Sequence, residues 1–361
     1  MDDARIKKHP ILSIDQSPEY VNFTFNGKKL RARKGEMISS ALFANNIHIF
    51  GKHKKDDSAQ GLFCANGQCA QCLLIIDGIP LKSCVTPVKE GMDVRSLDGL
   101  PALLDDDEIV KQGGKIQTVK IPVLIIGGGP AGMSAGIELG KMGVKCIICD
   151  DKQVLGGKLS LQTHNFFGSI RDCFAGSRGM DIGENLSSVI ENEESIETWV
   201  NSPVVGIFSD GLVGIIKNGR YVLLKPERLL ITTGAREKTL AFPGCDLPGV
   251  YGAGAFQTLV NRDLIRPTNK LFIVGGGNVG LIAAYHALQA GIDVIGIVEA
   301  LPYVGGYKVH LDKIKRLGIP VYTSHTVLKA VGKDHLNSNP QSTDFLKCRQ
   351  NRFSQRRQHR Q

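Results

Sequence analysis

The chain has 361 residues, 42 of them glycine, and 44 Lys and Arg against 35 Asp and Glu, a formal net charge of +9. That length allows two or three domains with real cores. Much of the charge sits at the C-terminal end, where Lys347, Arg349, Arg352, Arg356, Arg357 and Arg360 face Asp344 alone, which excludes a basic nucleic-acid-binding face.

The opening MDDARIKKHP lacks the apolar stretch of a secretory signal. No run approaches the ~18 apolar residues of a spanning helix. The chain therefore reads as soluble and cytoplasmic, a compartment that keeps thiols reduced and suits metal-bound cysteines.

Residues 20–25 (YVNFTF) alternate as a strand, Asn26-Gly27 gives a hairpin signal and residues 30–33 return. Helical spacing follows over residues 35–46, then a cysteine-bearing loop, residues 73–76 (LLII), the Asp77-Gly78 turn and a strand ending at Cys84. This order resembles the β-grasp of plant-type ferredoxins. Cys64, Cys69 and Cys72 are spaced C-x4-C-x2-C, with Cys84 eleven residues further on. That is the plant-type spacing in which four thiolates hold a two-iron cluster. A short loop must bring three sulfurs together while the fourth arrives from a neighbouring strand, and Gly67 suits a backbone that needs φ > 0. Tetrahedral zinc is the rival occupant. Zinc sites more often pair two C-x2-C knuckles, and there is one here. A disulfide framework is disfavoured because nothing suggests export.

Residues 101–120, with Asp105–Glu108 and Gly113-Gly114, read as a linker. Beyond it the period changes. Residues 123–126 (VLII) form a buried strand, followed by Gly127-x-Gly129-Pro130-Ala131-Gly132, a helical run to Met142 and a second strand ending at Cys149. The pattern recurs over residues 271–274, Gly275-x-Gly277-Asn278-x-Gly280, a helix to Ala290 and residues 294–298. In each fingerprint the first glycine allows the tight turn, the second lets the backbone approach a pyrophosphate and the third packs helix on strand. The phosphates sit at the helix N-terminus. An acid closes each second strand to meet a ribose, Asp150 and Glu299 respectively. Glu299 would repel a 2′-phosphate, favouring NAD(H) over NADP(H). The expected fold class is α/β plus α+β: an N-terminal β-grasp, 2Fe-2S ferredoxin-like domain (1–100) and two Rossmann-like dinucleotide-binding domains (121–266 and 267–331, the latter incomplete). Residues 332–361 form a basic tail.

Cys146 and Cys149 are a C-x-x-C pair within an apolar strand, where positions i and i+3 diverge, so they read as buried structural residues. Cys173, Cys245 and Cys348 have no companion pattern. His164 is a candidate to face flavin or substrate, although no carboxylate partner is visible, and Phe166 and Phe167 read as core.

Lys152, Gly157 and the stretch through Thr233-Gly234-Ala235, following Asp150, resemble the glutathione-reductase and thioredoxin-reductase flavoproteins. The resemblance implies FAD on the first motif, with Lys152, Gly157, Thr233 and Gly234 around it, and a pyridine nucleotide on the second. The cysteine set, Lys82-Ser-Cys84-Val-Thr-Pro and the first fingerprint together are similar to the α-subunit family of heteromeric sarcosine oxidases. That family includes subunits of opine, proline and hydrogen-cyanide-forming dehydrogenases. In sarcosine oxidase itself the corresponding domain lacks the cluster cysteines, so this chain looks closer to the cluster-bearing members. The resemblance implies an FAD-dependent oxidoreductase subunit passing electrons between an amine or amino-acid substrate, FAD and a 2Fe-2S cluster. It also implies a partner flavoprotein subunit holding the amine-oxidising site. A self-contained NADH-dependent reductase and a non-enzymatic fragment that keeps only the cluster module are the alternatives. A chain of this type should continue past the second motif with a closing strand and a return to the FAD domain. Residues beyond Ala330 are polar and turn-rich, so they read as a disordered tail or, better, as a chain cut short, in which case the FAD site loses one wall.

Overall fold

The computed structural model describes residues 4–101, 116–336 and the backbone of 346–350. The polar linker core at 102–115, and the tail at 337–345 and 351–361, lie outside the described residues. Chain packing divides the protein into two compact units, Met1–Leu103 with Glu237–Gln361, and Leu104–Arg236.

In the first unit, β1 (Tyr20–Phe25) and β2 (Lys28–Arg33) form a hairpin. Asn26 and Gly27 both have positive φ, as a twist-matched two-residue turn requires. α1 (Ile38–Ala44) is buried along its whole length, a shorter helix than its sequence spacing suggests. The short β3 (Gly51–Lys52) and β4 (Ala59–Gln60) precede the cysteine loop. Then come β5 (Leu73–Ile76), β6 (Ile79–Lys82), β7 (Met92–Arg95) and β8 (Leu97–Asp98). The main sheet runs β2-β1-β7-β5-β6, with β1 and β7 parallel and the other pairs antiparallel. Alternation sends Phe23, Phe25, Leu30 and Ala32 inward onto Leu42 and Phe43 of α1.

The second unit carries β9 (Thr118–Ile126), α2 (Pro130–Lys141), β10 (Cys146–Cys149), α3 (Ile170–Cys173), α4 (Gly179–Glu191), β11 (Ile196–Trp199), β12 (Val204–Ile207), β13 (Val213–Lys217) and β14 (Arg220–Ile231). Its sheet runs β11-β10-β9-β14-β13-β12, with the first four strands parallel. β9 starts at Thr118, inside the span expected to be linker. Its polar first half is already paired with β14 from Thr118 opposite Leu223 onward. Cys146 and Ile148 join the core on one face of the sheet, and Ile147 and Cys149 the core on the other. The divergence expected of the C-x-x-C pair is thus observed, and both thiols are free. Phe166 packs against the first of these cores, whereas Phe167 is exposed. The expectation that both are core fails at Phe167, which opens a stretch, residues 167–172, that is exposed throughout.

Back in the first unit, α5 (Ala253–Gln257) runs into a π-helical turn at Thr258–Arg262. Ala255, Leu259 and Ile265 complete the core beneath α1. Residues 237–266, expected to belong with the first dinucleotide fold, therefore group with the N-terminal region. β15 (Lys270–Val274), α6 (Asn278–Gln289), β16 (Asp293–Glu299), α7 (Lys308–Arg316) and β17 (Val321–Thr323) build a parallel sheet in the order β15-β16-β17. β18 (His325–Ala330) then pairs antiparallel with β19 (Leu346–Gln350). A strand at 346–350 corrects the reading of this stretch as irregular tail: its basic residues gave no apolar alternation, and the pairing is supplied by β18.

Among the described residues no helix is long and apolar enough to cross a membrane.

Candidate redox-cofactor sites

The four predicted cluster cysteines come together at one end of the β-grasp. Cys64 lies within hydrogen-bonding reach of Cys69 and Cys84, and Cys72 within reach of Cys84. Ala65 and Gly67 both adopt positive φ as the loop wraps round. Two backbone groups donate to sulfur: Gly67 N–H to Cys84 Sγ and Cys69 N–H to Cys64 Sγ, each at 3.3 Å. Lys82 Nζ donates to the Gly67 carbonyl at 2.6 Å, and Ser83 Oγ to the Cys72 carbonyl at 2.8 Å. The strand carrying the fourth cysteine thereby grips the loop carrying the other three. Sequence spacing did not single out Lys82 or Ser83.

Crowding sets the thiols against one another. Contact with Cys69 and Cys84 draws Cys64 down, while contact with Cys64 and Cys72 pushes Cys84 up and contact with Cys64 pushes Cys69 up. Four sulfurs in one space cannot all ionise alone, and a cationic core relieves that conflict. Among the described residues no group of three or more Cys, His, Asp or Glu side chains is already placed to hold a single metal ion. A two-iron cluster asks only for two thiolates at each iron. Here Cys64 and Cys69 are half-buried, whereas Cys72 and Cys84 are fully buried, giving the site an outer and an inner pair.

The two glycine fingerprints fold into the same turn. Gly127 and Gly275 have φ of 108° and 109°. A Cβ at Gly132 would lie 2.0 Å from the Gly127 carbonyl oxygen, and one at Gly280 would lie 2.1 Å from that of Gly275. Only glycine permits that approach of helix to strand end. Gly129 and Gly277 are the N-caps of α2 and α6, and a Cβ at either would meet no protein atom within 4 Å. That open ground before a helix N-terminus is where a pyrophosphate fits. Pro130 takes the first helical position of α2 and Ala131 the next, pre-setting the helix start.

The acids hold matching positions. Asp150 accepts from Gly128 N–H at 2.7 Å and Lys152 N–H at 2.8 Å, and Glu299 accepts from Gly276 N–H at 2.8 Å and Leu301 N–H at 2.9 Å. Burial pushes the Asp150 carboxyl up, partly offset by those N–H donors. Lys152 turns its ammonium to Asp151 at 2.5 Å, so its backbone is what faces the turn. Gly156 N–H donates to the Gly128 carbonyl, and a Cβ on Gly157 would come within 3.0 Å of Gly129 Cα, placing that loop on the fingerprint. Thr233 and Gly234 follow β14, with Gly234 at φ 72°. The residue that fixes the turn is their neighbour Thr232, whose hydroxyl donates to the Gly127 carbonyl at 2.7 Å. At the second turn Asn278 Oδ1 accepts from Tyr307 N–H at 2.7 Å. His164 stacks on Phe166 with ring centroids 5.4 Å apart. Four thiols therefore fit a two-iron cluster, and the open glycine turns closed by an acid fit FAD and a second dinucleotide.

Known proteins agree with this layout. Residues 19–99 match the 2Fe-2S iron-sulfur cluster binding domain, and residues 121–349 match the pyridine nucleotide-disulphide oxidoreductase family. The sarcosine oxidase subunit alpha of Rhizobium meliloti is 23% identical over 79% of this chain and 35% of its own length. The hydrogen cyanide synthase subunit HcnB of Pseudomonas aeruginosa is 28% identical over 59% of this chain and 49% of its own. The chain thus spans between a third and a half of these relatives. Among solved structures, L-proline dehydrogenase from P. horikoshii superposes with a TM-score of 0.66 at 23% identity, over 81% of this chain and 56% of that one, and so shares the fold. By the match over most of its length, the chain belongs to the pyridine nucleotide-disulphide oxidoreductase family and carries a 2Fe-2S cluster binding domain ahead of it.

Proposed function

We propose that this chain is the electron-transferring subunit of an FAD-dependent amine or amino-acid dehydrogenase, working with a partner flavoprotein subunit that holds the amine-oxidising site. The observation that carries the reading is the thiol cradle at Cys64, Cys69, Cys72 and Cys84 on the same chain as the Gly127–Asp150 turn. FAD supplies the exchange between two-electron and one-electron chemistry when bound, and the cluster takes single electrons. The chain's own residues bind and orient. The turn at Gly127–Gly132 holds the dinucleotide, Asp150 takes the ribose, and the backbone donors of Gly67 and Cys69 stabilise charge on sulfur. Relatives named as subunits of sarcosine oxidase, opine oxidase and hydrogen cyanide synthase support the substrate class and the partner subunit.

The intact turn at Gly275–Glu299 favours a second reading, an NADH-dependent reductase of a separate acceptor. Anaerobic spectroscopy of the purified chain separates the two. Flavin reduction by an amine or amino acid only when the partner subunit is added is expected. Bleaching by NADH without any partner establishes the second reading, and absence of flavin bands after FAD addition overturns both.

A further inference from the structure

The segment after α5 is tied by a short chain of contacts to the residue that precedes the fourth cysteine. Arg262 ends the π-helical turn, and its guanidinium makes a bidentate pair with Asp263, Nε to Oδ1 at 2.6 Å and Nη2 to Oδ2 at 2.9 Å. Asp263 Oδ2 also accepts from Ser40 Oγ at 2.6 Å, and the neighbouring Ser39 N–H donates to the carbonyl of Ser83 at 3.2 Å. Ser83 precedes Cys84. A continuous chain of contacts thus runs from the fourth cysteine through the start of α1 to Asp263 and Arg262. Cys84 shares one core with Leu259 and Ile265, which flank this segment. The Arg262 side chain keeps about a third of its surface exposed (32%), while Asp263 keeps 8%. The wide π turn matters because such an inserted turn sets the facing of the residues after it.

We propose that Arg262 is a potential-tuning residue of the two-iron cluster: its guanidinium, held by Asp263, which Ser40 ties to the start of α1 and so to the Ser83–Cys84 junction, raises the cluster's reduction potential. The inference rests on the cluster reading above. Reduction adds one electron, with no proton required, to a core whose thiolate ligands already make it anionic, and a fixed cation on the buried side stabilises the added charge. Backbone N–H groups serve Cys64 and Cys84 alike, but Arg262 favours the inner pair. Asp263 opposes it, so the two side chains should move the potential in opposite directions.

The test is a mediator-equilibrated redox titration of the full chain, read by the electron paramagnetic resonance signal of the reduced cluster. Arg262→Gln is expected to lower the reduced-to-oxidised ratio at fixed poise about tenfold, equivalent to ~59 mV for a one-electron couple. Arg262→Lys, which keeps the charge, should retain most of the wild-type value, and Asp263→Asn should raise it. A local disturbance of the junction would shift Arg262→Gln and Asp263→Asn the same way, and that result overturns the proposal, as does an unmoved Arg262→Gln. If Arg262→Gln does not load a cluster, the upward shift in Asp263→Asn carries the test, and its absence overturns the proposal. A wild-type chain with no cluster signal refutes the cluster reading itself.

Discussion

At the scale of single residues, the positions that admit one side-chain type are the most informative. A methyl at Gly132 or Gly280 would collide with a backbone carbonyl at about half a normal contact distance, and neither the strand end nor the helix can retreat. Gly132→Ala is expected to cost about 1–3 kcal/mol of stability and to abolish FAD retention, checked by the flavin content of purified protein. Gly280→Ala should leave FAD in place and remove NADH binding, checked by equilibrium titration of nucleotide fluorescence. His48 gives a pH signature. Its ring lies edge-on to Phe43 at 4.5 Å and to His335 at 5.5 Å. Burial, aided by His335, lowers its pKa from 6.5 to about 4. The unfolded chain therefore takes up a proton that the folded chain refuses in this window. Stability from this residue is complete above about pH 6.5 and drains away as pH falls towards 4. Denaturant unfolding at pH 7 and pH 4.5 should show His48→Gln losing less stability on acidification than wild type, by up to about 3 kcal/mol. Equal losses would refute this account.

At the scale of elements, the cysteine loop and its neighbours are held by a few well-placed polar contacts. Lys82 clips the loop at Gly67. Lys82→Met is expected to slow cluster insertion into apo-protein and leave the β-grasp fold unchanged, measured by the rate of visible absorbance gain during reconstitution. A second fastening sits at the N-terminal arm. Arg5 meets Glu36 at 2.7 Å, with side chains only 6% and 7% exposed. The arm also pairs with the chain at Ile265 and Leu264. Breaking such a buried pair leaves a charge without its partner, so Arg5→Ala should cost about 3–5 kcal/mol by chemical denaturation. Sequence reading found the elements best where periodicity and turn chemistry agreed. The Asn26-Gly27 hairpin, the buried strand ending at Ile126 and both glycine turns were legible, because each needs a particular residue at a particular φ. Thr232 and Lys82 were not legible. Their roles arise from partners 105 and 15 residues away, brought close only by folding. β19 was missed for a related reason, since its pairing comes from β18 and leaves no alternation in its own basic sequence.

At the scale of the whole molecule, the thiol cradle and the two dinucleotide turns are built from separate stretches of the chain, each closed by its own local contacts. Replacement of Cys72 or Cys84 with Ala should remove the cluster's visible bands and leave flavin content intact. Cys149→Ala should change neither, since burial pushes that thiol up to about 12 and keeps it inert within the sheet. Comparing the spectra of these three variants checks that the cofactors are held by separable parts of the chain.

The matched turns have a consequence for evolution by small steps. Gly127 with Asp150, and Gly275 with Glu299, use the same backbone angles, the same close approach and the same pair of N–H donors to a carboxylate. The two turns thus present nearly the same face to a nucleotide, so discrimination between a flavin and a nicotinamide partner must come from what surrounds them. At the first turn that surrounding is the loop bearing Gly156 and Gly157, laid against the fingerprint. At the second it is the segment of Gly306 and Tyr307, which bonds back to Gly276 and Asn278. Exchanging those two short loops, rather than the glycine motifs themselves, is the change through which such a protein would trade one cofactor for another.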